Sequence, residues 1–239
     1  MMTAAEAWSS PPVDDVGYLP ASFMLNMTDD ELRGLIRNMR VARYEGWRNH
    51  KGLWRDLLGL DIPDRDVLDY GCGTGMEALE LARAGNRVAV ADIVPENVAL
   101  ARRVLQLHGF QARTWVLSHG RRPYGTFDCV NLSGVLHHIR EPRPVIERVH
   151  RLLRPGGEAR LMLYSDIGWR IATGTPPPED VTAHPEFWKF VRFFDAVGDY
   201  ADWYDVTKLE DRFGDLFQIS RFEYLTPDYR YCAAVLERR

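Results

Sequence analysis

The chain has 239 residues, 46% hydrophobic and 27% charged, which predicts one large domain or a domain with an added lobe. Its 30 Lys plus Arg against 34 Asp plus Glu leave a formal charge of −4, without the positive field that nucleic-acid binding rewards. No apolar run reaches the roughly 18 residues of a membrane span, no leader pattern opens the chain, and Cys72, Cys129 and Cys232 form no CxxC pair; the expectation is a cytoplasmic protein with reduced thiols, no membrane or nucleic-acid partner and no metal site.

Residues 1 to about 26, rich in Ala, Ser and Pro, read as a loosely ordered arm. From Thr28, a capping residue followed by acids, with Leu32, Leu35, Ile36 and Met39 at helical spacing, predicts one or two helices ending near Gly59. Residues 1–59 are therefore expected to form an arm and helical cap ahead of a domain spanning 60–239. VLDYGCGTG then breaks from a short apolar run into glycines and continues as MEALELARAG: strand, tight loop, helix. RVAVADI reads as a strand, PENVALARRVLQLHG as a helix opened by Pro and closed by Gly, and QARTWVL as a strand. FDCVNLSGV is another strand, EPRPVIERVHRLLRPGG a helix and EARLMLYS a fifth strand.

Strands alternating with helices predict an α/β fold with a mostly parallel sheet covered by helices on both faces. TKLEDRFG is a last short helix. FQISRFEYLT and YRYCAAVLER, joined only by PD, should pair as an antiparallel hairpin at the sheet edge. Before that helix lies a segment, 166–206, too long for an ordinary connection. It holds Trp169, Phe187, Trp188, Phe190, Phe193, Phe194, Tyr200, Trp203 and Tyr204, interleaved with Asp180, Asp195, Asp199, Asp202 and Asp205. This insert after strand five is the expected substrate lobe; its rings either form its own core or line a pocket for an aromatic, apolar or cationic acceptor.

The strongest chemical signal is Asp69-Tyr70-Gly71-Cys72-Gly73-Thr74-Gly75 at a strand-to-helix junction, with Asp92 at the end of the next strand. Glycines let the backbone turn sharply and approach a ligand, the helix start offers free amide hydrogens, and an acid about 20 residues on suits ribose hydroxyls. A dinucleotide fingerprint would need glycine where Met76 stands, and no Gly-Lys-Ser/Thr of a phosphate loop follows. A Tyr-xxx-Lys spacing at Tyr204 and Lys208 lies in the lobe, without the glycine arrangement of short-chain dehydrogenases, and is read as chance.

VLDYGCGTG, VAVADIVPENVALAR, FDCVNLSGVLHHI and LLRPGGEARLMLY, in this order over about residues 60–165, resemble the class I S-adenosylmethionine-dependent methyltransferases, in particular the small-molecule branch with a methyltransferase 11/25-like core. The resemblance implies a Rossmann-like seven-stranded sheet of order 3-2-1-4-5-7-6 with strand seven antiparallel. It implies S-adenosyl-L-methionine as cofactor, S-adenosyl-L-homocysteine as product, and EC 2.1.1 chemistry. Carried over by residue, Gly71, Gly73 and Gly75 would approach the methionine part, which Asp69 organises, with Cys72 a small residue of the same loop. Asp92 would bind the ribose hydroxyls and Ile93 pack on the adenine. Leu117-Ser118-His119 stands where an acid commonly meets the adenine edge, so the contact through Ser118 and His119 is altered. Asn131, Leu132 and Ser133 would lie beneath the sulfonium.

Methyl transfer is a direct displacement that needs alignment in a dry pocket, and a histidine suits the role of base for a hydroxyl, carbon-acid or ammonium acceptor. His137 and His138 follow strand four; His50 in the helical cap and His184 in the lobe are further candidates. No set of acids marks a divalent-metal site, and Asn131-Leu-Ser-Gly134 lacks the stacking aromatic of DNA amino-methyltransferases. The expected function is methylation of a small metabolite on oxygen, nitrogen or carbon by a monomer or homodimer. The alternatives are a non-catalytic methyltransferase-like subunit or a peptide or protein acceptor.

Overall fold

The computed structural model describes residues 3–13, 17–119, 122–195 and 198–239. The expected loose arm is instead a series of short elements: α1 (Ala4–Ala7), the paired strands β1 (Pro12–Val13) and β2 (Gly17–Tyr18), and α2 (Ala21–Leu25). Each is too short to imprint a period on the sequence, and their order comes from burial of Val13, Ala21 and Met24. Arg103 closes α2 by donating to the Leu25 and Met27 carbonyls at 2.6 and 2.7 Å, groups that a helix end leaves without partners.

The two cap helices are α3 (Asp29–Tyr44) and α4 (Leu53–Leu57). Thr28 and Glu31 form a capping box at the start of α3, and Leu32, Ile36 and Met39 bury one stripe of it. The core follows as β3 (Asp66–Tyr70), α5 (Met76–Arg83), β4 (Arg87–Asp92), α6 (Pro95–Leu107), β5 (Arg113–Val116), β6 (Phe127–Ser133), α7 (Arg143–Leu152) and β7 (Leu153–Tyr164). The lobe holds α8 (Asp166–Thr173) and α9 (Phe187–Phe194), and the chain ends with α10 (Val206–Phe213), β8 (Phe217–Leu225) and β9 (Tyr231–Arg238).

Seven strands form one sheet in the order β5-β4-β3-β6-β7-β9-β8, which is 3-2-1-4-5-7-6 counted from its first strand. The first five run parallel, and β9 is antiparallel to both β7 and β8. Alternation along each strand divides the core between the two faces. Val67, Met162, Ala233 and Val235 pack with α3 to α6, whereas Leu68, Leu161, Leu163, Ala234 and Leu236 pack with α7 and α10. No helix among the described residues is long and apolar enough to cross a membrane.

In the lobe, Trp169, Phe187, Phe190, Tyr200 and Trp203 form a separate buried cluster with Tyr164 at the end of β7. Tyr204 enters the α7 and α10 side of the main core, while Trp188 and Phe193 stay exposed. Most of the aromatic excess is thus the lobe's own core. Lys208 of the Tyr-xxx-Lys spacing is spent on Asp202, at 2.7 Å.

One carboxylate fastens the cap to the core. Glu80 of α5, 2% exposed, accepts from Arg40 of α3 at 2.9 Å, Arg55 of α4 at 2.7 Å and Arg83 at 2.9 Å. The three guanidiniums hold its carboxyl below the usual range against the opposing effect of burial. Glu80→Ala is expected to lower unfolding stability by about 2 kcal/mol in urea titration, the scale of hydrogen bonds to a charged group lost at one buried point.

Candidate active site

The C-terminal ends of β3, β4 and β6 meet above the middle of the sheet, where a parallel arrangement places ligands. Between β3 and α5 the chain turns through Gly71, Gly73 and Gly75, with φ of 85°, 48° and 80°. Side chains are excluded at two of these. A Cβ on Gly71 would lie 2.3 Å from Val135 Cγ2, and one on Gly75 2.7 Å from Ala101 Cα. At Gly73 the nearest atom would be Pro11 Cβ at 3.7 Å, so the middle of the loop faces the N-terminal arm. Cys72 is buried and its thiol pushed up by that burial, consistent with a packing role.

Asp92 ends β4 directly beside this loop. One carboxylate oxygen accepts from the Gly73 N–H at 3.0 Å, and the other from the Val94 N–H at 2.9 Å, so the acid both ties the loop and turns the chain into α6. Asn97 of α6 reaches the second oxygen at 3.4 Å and donates at 3.1 Å to the Trp8 carbonyl of the arm. Burial raises the Asp92 pKa against these donors. A carboxylate has about four lone-pair sites, so these contacts leave room for a further donor.

In the parallel register Asp69 stands opposite Asn131, and the Asn131 amide donates to Asp69 Oδ1 at 3.0 Å. The second oxygen of Asp69, Oδ2, and the amide oxygens of Asn131 and Asn97 are buried without a hydrogen-bond partner among the described residues. Burial, with Glu77 and Asp92 nearby, pushes Asp69 up to about 8. Each such orphan costs roughly 1–3 kcal/mol, a cost that marks a place for a ligand or water. Leu132 turns into the α7 and α10 core, Ser133 and Ile93 are half-buried, and Ser118 is exposed in a short 3-10 turn after β5. The side chain of His119 lies outside the described residues.

His137 and His138 follow β6 in a 3-10 turn. His137 is 1% exposed, neither of its ring nitrogens has a partner among the described residues, and burial followed by His138 holds its pKa far below normal. Its ring stacks on Tyr164 at 3.8 Å, and Phe194 stacks on Tyr164 at 4.0 Å. His138 lies 4.1 Å from the His137 ring and 4.4 Å from the Trp8 ring. Burial lowers its pKa, opposed by Asp195 and by its bond to the Tyr200 carbonyl. His50 lies in the turn 47–52, and no hydrogen bond or ring contact joins it to this pair; His184 packs against Trp169 inside the lobe.

Tyr18 of the arm donates to Asp195 at 3.4 Å, so Asn97, Trp8, Tyr18, Tyr164 and Asp195 join the site beyond the residues that motif spacing picked out. Tyr164 carried a local signal, since it ends strand five at the same sheet edge. The arm residues carried none.

Residues 68–161 match the model of a family described as a methyltransferase domain. The ubiquinone biosynthesis O-methyltransferase of Xanthomonas oryzae pv. oryzae (strain PXO99A) is 35% identical over 106 residues, 41% of this chain and 43% of that protein. The protein of the same name from Cronobacter sakazakii (strain ATCC BAA-894) is 29% identical over 164 residues, 62% of this chain and 63% of that one. The chain therefore spans less than two thirds of the length of these relatives. Magnesium protoporphyrin IX methyltransferase from Synechocystis PCC 6803, solved with bound SAH, superposes with a TM-score of 0.56 at 21% identity, covering 78% of this chain and 79% of that one. A SAM-dependent methyltransferase from Aquifex aeolicus gives 0.59 at 14% identity, with 90% and 100% covered. At these identities the two structures share the fold. Residues 68–161 therefore match a methyltransferase domain, seated in a sheet of the order the motifs imply, and the chain shares the fold of these solved methyltransferases.

Proposed function

We propose that the chain transfers a methyl group from S-adenosylmethionine to an oxygen of a small-molecule acceptor. The observation that carries this reading is the convergence on one sheet edge of the glycine loop, Asp92 and the Asp69–Asn131 pair, with an orphan oxygen on each member of that pair. Oxygen is chosen over nitrogen and carbon because the ubiquinone biosynthesis relatives are named O-methyltransferases. The residues fit the cofactor. Asp69 Oδ2 and Asn131 Oδ1 are acceptors suited to an ammonium, Asp92 retains an acceptor position for ribose hydroxyls, and Gly73 leaves the loop without a side chain there. When bound, the cofactor supplies an electrophilic methyl on a sulfonium.

The protein's own part is alignment and proton handling. Asp69, Asn131 and the loop fix one end, and Asp92 with Asn97 fixes the other, so that an acceptor held over β6 meets the methyl in line. Trp8 lies against His138 and Pro11 faces Gly73, which puts the arm where it would keep water from the transfer. A hydroxyl acceptor loses its proton as the new carbon–oxygen bond forms, and the neutral histidine pair after β6 stands ready to receive it. His137, His138 and His50 are the base candidates, the first two in the turn directly after β6.

S-adenosylhomocysteine is expected to bind the full chain in the micromolar range by calorimetry, and Asp92→Ala to weaken it at least about tenfold through loss of charge-assisted bonds. Unchanged binding would remove the cofactor reading. Asp69 also gives binding a pH dependence. With its carboxyl pushed up to about 8, it holds a proton at pH 7, and an ammonium at Oδ2 favours the ionised form, so binding should release close to one proton. Calorimetry in buffers of different ionisation enthalpy reads that release, which should fade above pH 8 and vanish in Asp69→Asn. For the acceptor, mass spectrometry after incubation with cofactor and a metabolite extract should show a hydroxylated compound gaining one methyl group; gain on nitrogen alone would overturn the choice of oxygen.

A further inference from the structure

The lobe contributes a buried acid to the histidine turn. Asp195, directly after α9, is 5% exposed and lies with Oδ2 3.7 Å from His138 Nδ1. Its other oxygen accepts from the Tyr164 hydroxyl at 2.8 Å and from the Tyr18 hydroxyl of the arm at 3.4 Å. Oδ2 itself has no hydrogen-bond partner among the described residues. On the imidazole side, Nδ1 also lies 3.2 Å from the Tyr200 carbonyl oxygen, which can only accept. A ring nitrogen faced by a carbonyl and a carboxylate carries the hydrogen, and the lone pair then belongs to Nε2.

We propose that Asp195 is a positioning residue: its carboxylate, acting with the Tyr200 carbonyl that Nδ1 meets at 3.2 Å, favours the Nδ1–H tautomer of His138 and so leaves Nε2 as the proton acceptor at the transfer site. The use of that acceptor rests on the methyl-transfer reading above. No bond beyond the proton transfer is involved, since the acceptor hydroxyl gives its proton to Nε2 and the oxygen takes the methyl. Asp195 becomes no covalent partner and need not change protonation.

The arrangement divides the pair. His137, without partners for either nitrogen and sealed against Tyr164, is a neutral packing ring, while His138 has its tautomer set by surrounding groups. Asp195 is also where three separate parts of the chain meet: Tyr18 from the arm, Tyr164 from the sheet and the acid from the lobe. A base held this way is fully oriented only when arm and lobe are both in place.

The titratable groups facing His138 are His137, Asp195 and the Tyr164 ring, with Tyr18 reaching the same carboxylate. Of these Asp195 is the acid: burial raises its pKa, opposed by His138 and by the Tyr164 and Tyr18 hydroxyls. The test is long-range proton–nitrogen NMR on the full-length ¹⁵N-labelled chain, with the His138 signals assigned by their loss in His138→Gln. Wild type should show the Nδ1–H tautomer. Asp195→Asn should lower the His138 titration midpoint by about half a pH unit or more, because an opposite charge within this range favours the imidazolium, and should mix the tautomers. His150 of α7, which packs against Phe217, serves as the reference and should keep its midpoint. Should Asp195→Asn not fold, Tyr164→Phe, which removes one donor from the carboxylate and leaves its charge less shared, should move the midpoint the opposite way, upward, by less. An Nε2–H tautomer in wild type, or a midpoint and tautomer unmoved in these variants, would overturn the proposal. Calorimetry of S-adenosylhomocysteine on the same samples reports separately on the methyl-transfer reading, since Asp195 touches no cofactor residue and its loss should leave that binding within about twofold.

Discussion

The tie between Asp92 and the Gly73 amide organises the middle of the molecule. A glycine loop by itself is a mobile turn, since residues without side chains lose the most conformational freedom on ordering. Here one buried carboxylate from the neighbouring strand holds the loop from beneath and at the same time turns its own chain into α6. The starts of two helices and the ends of two strands are thereby fixed to one another, and the positions of Asp69, Asn131 and Asn97 follow from that anchoring.

The two halves of the site are made from different materials. The cofactor half is backbone and short polar side chains on adjacent parallel strands, where register alone sets Asp69 opposite Asn131. The half proposed for the acceptor is assembled from ring faces: His137 on Tyr164, Tyr164 on Phe194, Trp8 over His138. Aromatic surfaces tolerate change as long as area and stacking persist, whereas the backbone half tolerates little, because a single added methyl at Gly71 would strike Val135.

The sheet was legible because each of its strands is a local pattern, and the order of motifs along the chain carried the topology. The PD connection forced the terminal hairpin, which forms with Leu225 opposite Tyr231. The glycine loop and Asp92 were legible because spacing encodes them. The arm was not, since elements of two to five residues have no period and take their order from burial against α6. Asp195 was visible only as one of several acids in the lobe. What distinguishes it is the tertiary meeting with Tyr18, Tyr164 and His138, and no pattern within 166–206 encodes that meeting. The lobe's rings were correctly located by composition, but their division between core and surface depended on packing that composition does not express.

The arm's short contacts have a kinetic consequence. Through its carbonyl Trp8 is joined to Asn97, next to the glycine loop, and through its ring it covers His138, while Pro11 faces Gly73. One strap thus crosses both halves of the site. Release of residues 8–11 therefore uncovers the glycine loop and the histidine turn together, so the rate at which either is exposed is set by the same few contacts.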